Sequence, residues 1–282
     1  MPDLAKALEK ATLLIFVIPH QFVEGVCKEI VANRGALGER VRAISLIKGL
    51  DCSQSGLSLV SSLIREGLGL DVSVLMGANV ANDIAKERFS EATIGYRDFP
   101  NATVWKRLFQ SSYFQISLID DVVGVELCGA LKNVIAVAAG FIDGLFRQDL
   151  MEGGGDNTKA AIMRRGLLEM RSLCQLIDPE VRDETFLQSC GVADVIASCY
   201  GGRNRLVAEA LVIRKLAGDS VSIDVLEKEL LNGQKLQGPA TSREVHKWLE
   251  QRSLIERFPI MTSVYRICYE NFEPTHLLES LV

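Results

Sequence analysis

Two lysines, Lys132 and Lys48, are candidates for a chemical role because of their neighbours in the sequence. Lys132 stands between Leu131 and Asn133 in a stretch that is otherwise apolar. Neighbours that cannot solvate an ammonium lower a lysine pKa, so this position predicts a group that transfers protons near neutral pH. The alternative is a surface lysine whose aliphatic stem lies along an apolar face. Lys48 directly follows an apolar run. A lysine is common at the end of a strand, so Lys48 alone is weaker evidence of function than Lys132.

A second candidate site is the segment GGRNR at residues 201–205. Its glycines leave backbone amides accessible, and one amide side chain and two guanidinium groups follow at the start of a predicted helix. This arrangement favours anion binding, although a helix that ends in glycine and is followed by a solvated basic turn has the same composition. Asp194 lies in the apolar stretch 191–197. Because a buried carboxylate needs a cation or hydrogen-bond donors, Asp194 is a candidate to orient a lysine.

Motifs for several other chemistries are absent from the sequence. The chain has three histidines and no H-E-x-x-H, paired-cysteine or acidic-loop pattern, so we expect no metal site. Neither a G-x-S-x-G turn nor a Walker loop is present, which excludes the usual serine hydrolases and P-loop proteins. The dinucleotide fingerprint G-x-G-x-x-G is also absent, although the predicted fold calls for one before its first strand.

The first half of the chain has the rhythm of a parallel α/β sheet. Short apolar runs alternate with stretches of helical spacing at residues 21–31 and 57–66. The first three of these runs are nearly continuous in apolar character, as in strands that helices cover on both faces. The predicted strands are residues 13–17, 43–47, 72–76, 92–95 and 114–119. Pro19, Gly49 and Gly77 place turns after the first three strands, at the edge where open parallel sheets bind ligands.

The second half predicts an all-helical domain that begins at residue 122. Helical spacing extends over residues 127–139, 159–176, 205–216 and 243–252, and glycine-containing breaks lie at 153–155, 201–202 and 232–239. The polar residues beside these breaks are where we expect chemistry. The sequence therefore predicts two domains, residues 1–121 and residues 122–282.

The composition is that of a globular protein. With 48% hydrophobic and 24% charged residues and a net charge of -5, the chain can bury a sizeable core, and nucleic-acid binding is disfavoured. Unbroken apolar runs such as 13–18 and 134–142 are shorter than the ~20 residues that cross a bilayer. Residues 1–10 lack the pattern of a secretory signal. We therefore expect a cytoplasmic protein that binds no membrane.

Eight short stretches together resemble the NAD-dependent glycerol-3-phosphate dehydrogenase family. They are IFVIPHQF (15–22), SLIKG (45–49), MGAN (76–79), GALKN (129–133), GDNTKAA (155–161), SCGVAD (189–194), CYGGRNR (199–205) and LNGQKLQG (231–238). They follow the family's order over nearly the whole chain. The resemblance implies an incomplete Rossmann-type α/β domain and an all-helical domain that binds substrate and forms homodimers. It also implies NAD as cofactor and hydride transfer at carbon 2, which interconverts sn-glycerol 3-phosphate and dihydroxyacetone phosphate.

The resemblance also implies roles for individual residues. Lys132 matches the family's general acid/base lysine, Lys48 matches a second lysine near the substrate carbonyl, and Asp194 belongs to the same catalytic set. The residues matched to substrate binding are Lys48, Asn79, Asn133, Asp194, Ser198, where the family often has threonine, and the phosphate-binding pair Arg203 and Asn204. The residues matched to cofactor contacts are Phe22, Lys48, Ala81, Arg203, Lys235 and Gln237.

Two features depart from the family pattern. The family's glycine-rich segment lies upstream of Met1, so we expect Met1 to be an internal methionine of a longer product. Without that segment the sheet is expected to expose an apolar edge and to bind NAD poorly, and NADP stays open as the alternative cofactor. The segment LFRQDLMEGGG at residues 145–155 is longer than the family's loop, which indicates a lineage insertion or a mistranslated intron.

Two alternative functions accompany the dehydrogenase. One is a truncated, catalytically silent homologue that pairs with full-length subunits through its helical domain. The other is a related dehydrogenase for a different hydroxy acid, which the GGRNR segment disfavours because it fits a phosphorylated substrate.

Overall fold

A computed structural model describes residues 3–53, 56–147, 155–231, 234–279 and 281. The chain divides into two compact units. Unit 1 comprises Met1–Leu127 and Glu180–Cys190, and unit 2 comprises Cys128–Pro179 and Gly191–Val282. Unit 1 is therefore discontinuous in sequence. The predicted boundary between residues 121 and 122 coincides with the start of a long helix and stays a prediction.

Unit 1 contains seven described strands and five short or medium helices. The strands are β1 (Leu13–Phe16), β2 (Arg42–Ser45), β3 (Leu50–Ser53), β4 (Gly56–Leu59), β5 (Val72–Met76), β6 (Ser90–Gly95) and β7 (Phe114–Ile119). The helices are α1 (Leu4–Ala7), α2 (Val23–Ala32), α3 (Val60–Leu68), α4 (Ala81–Ile84) and α5 (Phe99–Phe109).

Five strands form one sheet in the order β1-β2-β5-β6-β7. All neighbouring pairs are parallel except β5 and β6, which are antiparallel. The predicted α/β class with a parallel-dominated sheet is confirmed. The antiparallel pair differs from an all-parallel sheet because apolar runs indicate burial and carry no information on strand direction.

Both faces of the sheet are covered, as the nearly continuous apolar character of the first three strands predicts. One core contains Phe16, Val23 and Ile64 and joins β1 to α2 and α3. The other contains Leu75 and Trp105 and lies where α5 packs against β7. On the edge strand β1, Ile15 is 45% exposed.

One predicted helix was partly wrong. Residues 57–66 were expected to be helical, but β4 occupies the first of them and pairs with β3 in an antiparallel hairpin. Leu57, Ser58 and Leu59 alternate between apolar and polar, which is the period of a strand. The helix α3 begins only at Val60.

Unit 2 is helical, as the sequence predicts. Its helices are α6 (Val122–Phe146, which begins in unit 1), α7 (Asp156–Ile177), α8 (Asp194–Gly201), α9 (Arg203–Leu216), α10 (Ile223–Leu230), α11 (Gln237–Glu250), α12 (Pro259–Tyr269) and α13 (His276–Glu279). The predicted break at 232–239 extends too far, because Gly238 and Pro239 lie in the first turn of α11. Most of the 145–155 segment, and residues 232 and 233 of that break, lie outside the described residues.

The helix α6 forms the centre of the helical core. Within the described residues it is the one helix long and apolar enough to cross a membrane, and 94% of its most apolar window is buried inside the protein. Counting unbroken apolar runs missed it because Glu126, Lys132 and Asn133 interrupt the run. Burial of this kind is typical of a core helix.

Candidate active site

A buried lysine pairs with an aspartate and a serine in unit 2. Lys132 on α6 donates from Nζ to Asp194 Oδ1 at 2.7 Å and to Ser198 Oγ at 2.5 Å. Asp194 and Ser198 are four residues apart on α8, so their side chains lie on the same face of that helix. The three residues are 7%, 3% and 9% exposed. A charged group that is so little exposed requires such partners.

The pairing changes the expected environment of Lys132. Its neighbours along α6 are apolar, as the sequence indicates, but the ammonium meets a carboxylate and a hydroxyl from a different helix. An adjacent carboxylate favours the charged ammonium. Asp194 finds the cation that its apolar stretch was predicted to require. The position of Asp194 follows a single π-helical turn, Ser189–Ala193, a deviation that often accompanies functional sites.

A chain of amide groups continues from the next residue of α6. Asn204 Nδ2 donates to Asn133 Oδ1 at 3.0 Å, and the backbone N–H of Gly238 donates to Asn204 Oδ1 at 2.9 Å. Asn133 Nδ2 in turn donates to carbonyls of its own helix. Because these contacts orient both amides, α6, α9 and α11 are joined at one point beside Lys132.

The GGRNR segment forms the start of α9. Gly202 is the residue before the helix, Arg203 is the exposed first residue, and its guanidinium donates to Gln234 Oε1. The free backbone N–H groups of a helix start favour an anion. Arg205 does not take part as the sequence suggested, since it forms an ion pair with Asp143 at 2.7 Å. Of the two guanidinium groups in this segment, the exposed one of Arg203 is the candidate for anion binding.

Lys48 and Asn79 meet in unit 1, after the ends of β2 and β5. Lys48 Nζ donates to the Gly77 carbonyl oxygen at 3.3 Å and to Asn79 Oδ1 at 3.5 Å. The carboxyl edge of the sheet thus collects a second lysine and an amide, as the turns after the predicted strands indicated.

Ser189 holds the backbone next to Asn79. Its Oγ accepts from the Ala78 N–H at 3.2 Å and donates to the Glu91 carbonyl at 2.8 Å. Gly77 has a φ of +158°, and a Cβ there would lie 2.6 Å from Ala92 Cα. The position therefore accepts glycine and no larger residue. Sequence reasoning missed Ser189 as a functional residue, although it begins the SCGVAD stretch.

The four remaining residues matched to the cofactor occur in both units. In unit 1, Phe22 follows β1 and is 55% exposed, and Ala81 is the exposed first residue of α4. In unit 2, Lys235 is exposed and forms an ion pair with Glu227 at 2.6 Å, which raises the pKa of Lys235. Gln237 is the half-exposed first residue of α11.

Within the described ranges, neither the thiol beside Ser198 nor a metal-type cluster gives an alternative centre. Burial raises the pKa of Cys199 to about 12, so the thiol next to Ser198 is a poor nucleophile. In the part of the chain that the structure describes, no three His, Cys, Asp or Glu side chains cluster as a metal site requires.

Comparison with known proteins identifies the chain. Family models described as the N-terminus and the C-terminus of NAD-dependent glycerol-3-phosphate dehydrogenase match residues 1–102 and 121–279. A cytoplasmic glycerol-3-phosphate dehydrogenase [NAD(+)] of Rattus norvegicus is 49% identical over 271 residues, which cover 96% of this chain and 73% of the rat protein. A chloroplastic one of Arabidopsis thaliana is 50% identical over 279 residues, covering 99% of this chain and 66% of that protein.

A solved structure shows the same fold. The structure of DsGPDH of Dunaliella salina matches with a TM-score of 0.91 and 50% identity, over 100% of this chain and 47% of that longer one. These matches define an NAD-dependent oxidoreductase. The chain belongs to the NAD-dependent glycerol-3-phosphate dehydrogenase family. The family, activity and cofactor predicted from the sequence are confirmed, and a catalytically silent homologue is not favoured.

Proposed function

We propose that Lys132 is the general acid/base of this dehydrogenase, acting on the oxygen at carbon 2 of sn-glycerol 3-phosphate. The observation that supports this role is the buried contact of its ammonium with Asp194 and Ser198. NAD, when bound, supplies the hydride acceptor. In oxidation, neutral Lys132 takes the hydroxyl proton as the carbonyl forms, and in the reverse direction its ammonium returns the proton to the alkoxide oxygen of the former dihydroxyacetone phosphate.

Asp194 and Ser198 keep the amine in place during this transfer. The carboxylate at 2.7 Å stabilises the ammonium that appears when the proton arrives. The Ser198 hydroxyl at 2.5 Å restricts the direction in which Nζ points, and a threonine hydroxyl would do the same. Fixed orientation is a large part of catalysis, because the donor and acceptor atoms must meet within hydrogen-bond distance.

Arg203 and Asn204 are proposed to bind the substrate phosphate. A planar guanidinium donates two parallel hydrogen bonds to a phosphate, which a lysine cannot do. Arg203 is exposed at the first turn of α9, where the backbone N–H groups also favour an anion. Asn133 supports this position because it accepts from Asn204 at 3.0 Å.

Lys48 and Asn79 are proposed to polarise the carbonyl oxygen of the substrate. The contacts of the Lys48 ammonium with Gly77 and Asn79 place a positive charge at the carboxyl edge of the sheet. A positive charge there stabilises the negative charge that develops on oxygen during hydride transfer.

The residues present fit part of an NAD site. Phe22 offers an exposed ring at the end of the short 3-10 turn His20–Phe22, between β1 and α2, and the close packing around Gly77 leaves room for no side chain at the turn after β5. Phe22, Lys48, Ala81, Arg203, Lys235 and Gln237 are proposed to contact the cofactor. No residue is assigned to the pyrophosphate, because a G-x-G-x-x-G segment is not in the sequence.

The test follows NADH absorbance with dihydroxyacetone phosphate and the purified chain. Turnover that disappears in Lys132→Ala supports the assignment. Lys28→Ala is the matched control, because its ammonium forms an exposed ion pair with Glu24 on a single helix. Equal turnover in Lys132→Ala and Lys28→Ala would sink the assignment of Lys132.

We also propose a homodimer in the cytoplasm. Ile196 and Tyr200, four residues apart on α8, are 45% and 67% exposed, an apolar pair that suits burial against a second copy. The cytoplasmic rat relative supports the location. Light scattering of the purified chain tests the mass of the particle, and Ile196→Asp should shift a dimer towards monomer.

A further inference from the structure

Unit 2 contains a second set of little-exposed charges, outside the Lys132 site. Asp143 Oδ2 accepts from Lys159 Nζ at 2.8 Å and from Arg205 Nη1 at 2.7 Å. The side chains of Asp143, Lys159 and Arg205 are 18%, 10% and 16% exposed. One carboxylate oxygen therefore joins three helices, since these residues lie on α6, α7 and α9.

Arg205 depends on this carboxylate for its position. Its Nε atom is buried and has no hydrogen-bond partner among the described residues. Its Nη1 atom contacts Asp143 and also Glu209, at 3.1 Å on the same helix. Among the described residues, the ion pair with Asp143 ties the guanidinium to another helix, whereas the pair with Glu209 stays within α9. Loss of Asp143 would therefore remove the restraint between the helices and weaken the compensation of a little-exposed charge.

Two glycines bring α9 against α6 beside this ion pair. A Cβ at Gly140 would lie 2.3 Å from the Arg205 carbonyl oxygen, and one at Gly144 would lie 2.6 Å from Val212 Cβ. The backbones therefore approach closely along two turns. Backbone contact fixes the distance between the helices, and the ion pair of Asp143 with Arg205 fixes the rotation of α9.

That rotation decides where the proposed phosphate site points. Arg205 directly follows Arg203 and Asn204 in the first turn of α9. The contact of Asn204 with Asn133, at 3.0 Å, holds only for one rotation of that turn. Lys159 also reaches α8, where its ammonium lies 4.7 Å from the centre of the Tyr200 ring.

We infer that Asp143 is a positioning residue for substrate binding: through Arg205 it sets the orientation of Arg203 and Asn204. The inference rests on the proposed role of those two residues. Asp143 contacts neither of them, so its effect on the substrate passes through the rotation of α9.

The test uses Asp143→Asn in the full chain, which keeps the shape of the side chain and removes its charge. The matched control is Asp219→Asn, because Asp219 pairs with Arg214 at the other end of α9, at 2.5 Å and with 49% exposure. Nuclear magnetic resonance follows hydrogen exchange of the Asn204 side-chain amide. We expect exchange at least about tenfold faster in Asp143→Asn, because its hydrogen bond opens more often, and unchanged exchange in Asp219→Asn.

Kinetics provide the second readout. We expect Asp143→Asn to raise the KM for glycerol 3-phosphate on the order of tenfold to a hundredfold, with a smaller change in kcat. If Asp143→Asn does not fold, Arg205→Lys is the replacement, since it keeps the positive charge on a shorter side chain. Faster hydrogen exchange of the Asn204 amide in Arg205→Lys would also support the positioning role.

The outcomes separate the two proposals. Unchanged Asn204 exchange in the folded variant overturns the positioning role, as does a drop in thermal stability with an unchanged KM. Faster exchange in a chain whose parent shows no turnover supports the positioning of Asn204 and counts against the proposed activity of the chain.

Discussion

Asp194 Oδ1 lies 2.7 Å from Lys132 Nζ, although 62 residues separate the two in sequence. Neither residue is more than 7% exposed, so each charge offsets the free-energy cost of burying the other. The pair connects the helix that forms the centre of unit 2 to the short helix α8. The short distance between the carboxylate and the ammonium leads to the first prediction.

Asp194→Asn is expected to lower kcat on the order of a hundredfold, because the amide orients Nζ without stabilising the ammonium. Initial rates of NADH consumption measure the change. Asp120→Asn is the control, since Asp120 forms an ion pair with Arg182 in which both side chains are about half exposed. A variant with normal kcat would show that the carboxylate charge plays no part.

Gly238→Ala is expected to lower the free energy of unfolding by about 1–3 kcal/mol and to raise the KM for the substrate. A Cβ at Gly238 would lie 2.6 Å from the Asn133 carbonyl oxygen and 2.8 Å from Asn204 Oδ1, so the amide chain must shift. Urea unfolding and substrate titration measure the two effects. Gly25→Ala on α2, which meets nothing within 4 Å, should be neutral or stabilising.

Ser189→Ala is expected to reduce kcat/KM and to destabilise unit 1 by about 1–3 kcal/mol, since the Ala78 N–H loses its acceptor. The turn that carries Asn79 then gains freedom, and Lys48 loses a fixed partner. Ser111→Ala provides a comparison, because Ser111 Oγ accepts from the Phe114 N–H away from that turn. Equal kinetics in both variants would contradict a link between Ser189 and the Lys48 group.

Glu126 is expected to make stability depend on pH. Burial raises the pKa of Glu126 to about 7, while hydrogen bonds from Ser61 and the nearby charge of Arg97 act in the opposite direction. The folded protein then binds the proton more tightly than the unfolded chain, whose carboxyl has a pKa of 4.5. The contribution of Glu126 is therefore full below pH 4.5 and is lost as pH rises towards 7.

Urea unfolding between pH 4.5 and pH 8 measures this dependence. The shift corresponds to about 3 kcal/mol at most. Glu126→Gln should remove that part of the slope and keep an acceptor for the Ser61 N–H. Glu169 adds a slope of the same sign, because burial also raises its pKa to about 7, so the double variant should be flatter still. An unchanged slope in Glu126→Gln would contradict the prediction.

The local pattern of apolar and polar residues was sufficient to predict most of the strands and helices. The predicted strands 72–76 and 114–119 have the observed bounds. Residues 72–76 are mostly apolar and end at Gly77, and residues 114–119 begin as an alternation of apolar and polar residues. The hairpin of β3 and β4 and the antiparallel pairing of β5 with β6 were not foreseen, since both depend on which strands meet and in what direction. Such contacts are decided by tertiary structure rather than by periodicity.

The sequence predicted those members of the candidate site that are charged residues among apolar neighbours. Lys132 and Asp194 are charged residues in apolar stretches, so burial indicates that each needs a partner. Ser189 and Asp143 are ordinary polar residues in the sequence, and their contacts join segments that are far apart. Arg205 is a different case: its place two residues after Arg203 made it a candidate for anion binding, whereas its guanidinium forms an ion pair with Asp143.

The discontinuity of unit 1 has a consequence for synthesis on the ribosome. The segment Glu180–Cys190 supplies a backbone N–H and the Thr185 hydroxyl to the Asp121 carboxylate, and it holds the turn next to Asn79 through Ser189. Unit 1 cannot acquire these contacts until residue 190 has left the exit tunnel, by which time α7 of unit 2 is already outside. Unit 1 is therefore completed only after part of unit 2 has been synthesised, and a gene fragment that stops after α6 would encode a sheet without its last supporting segment.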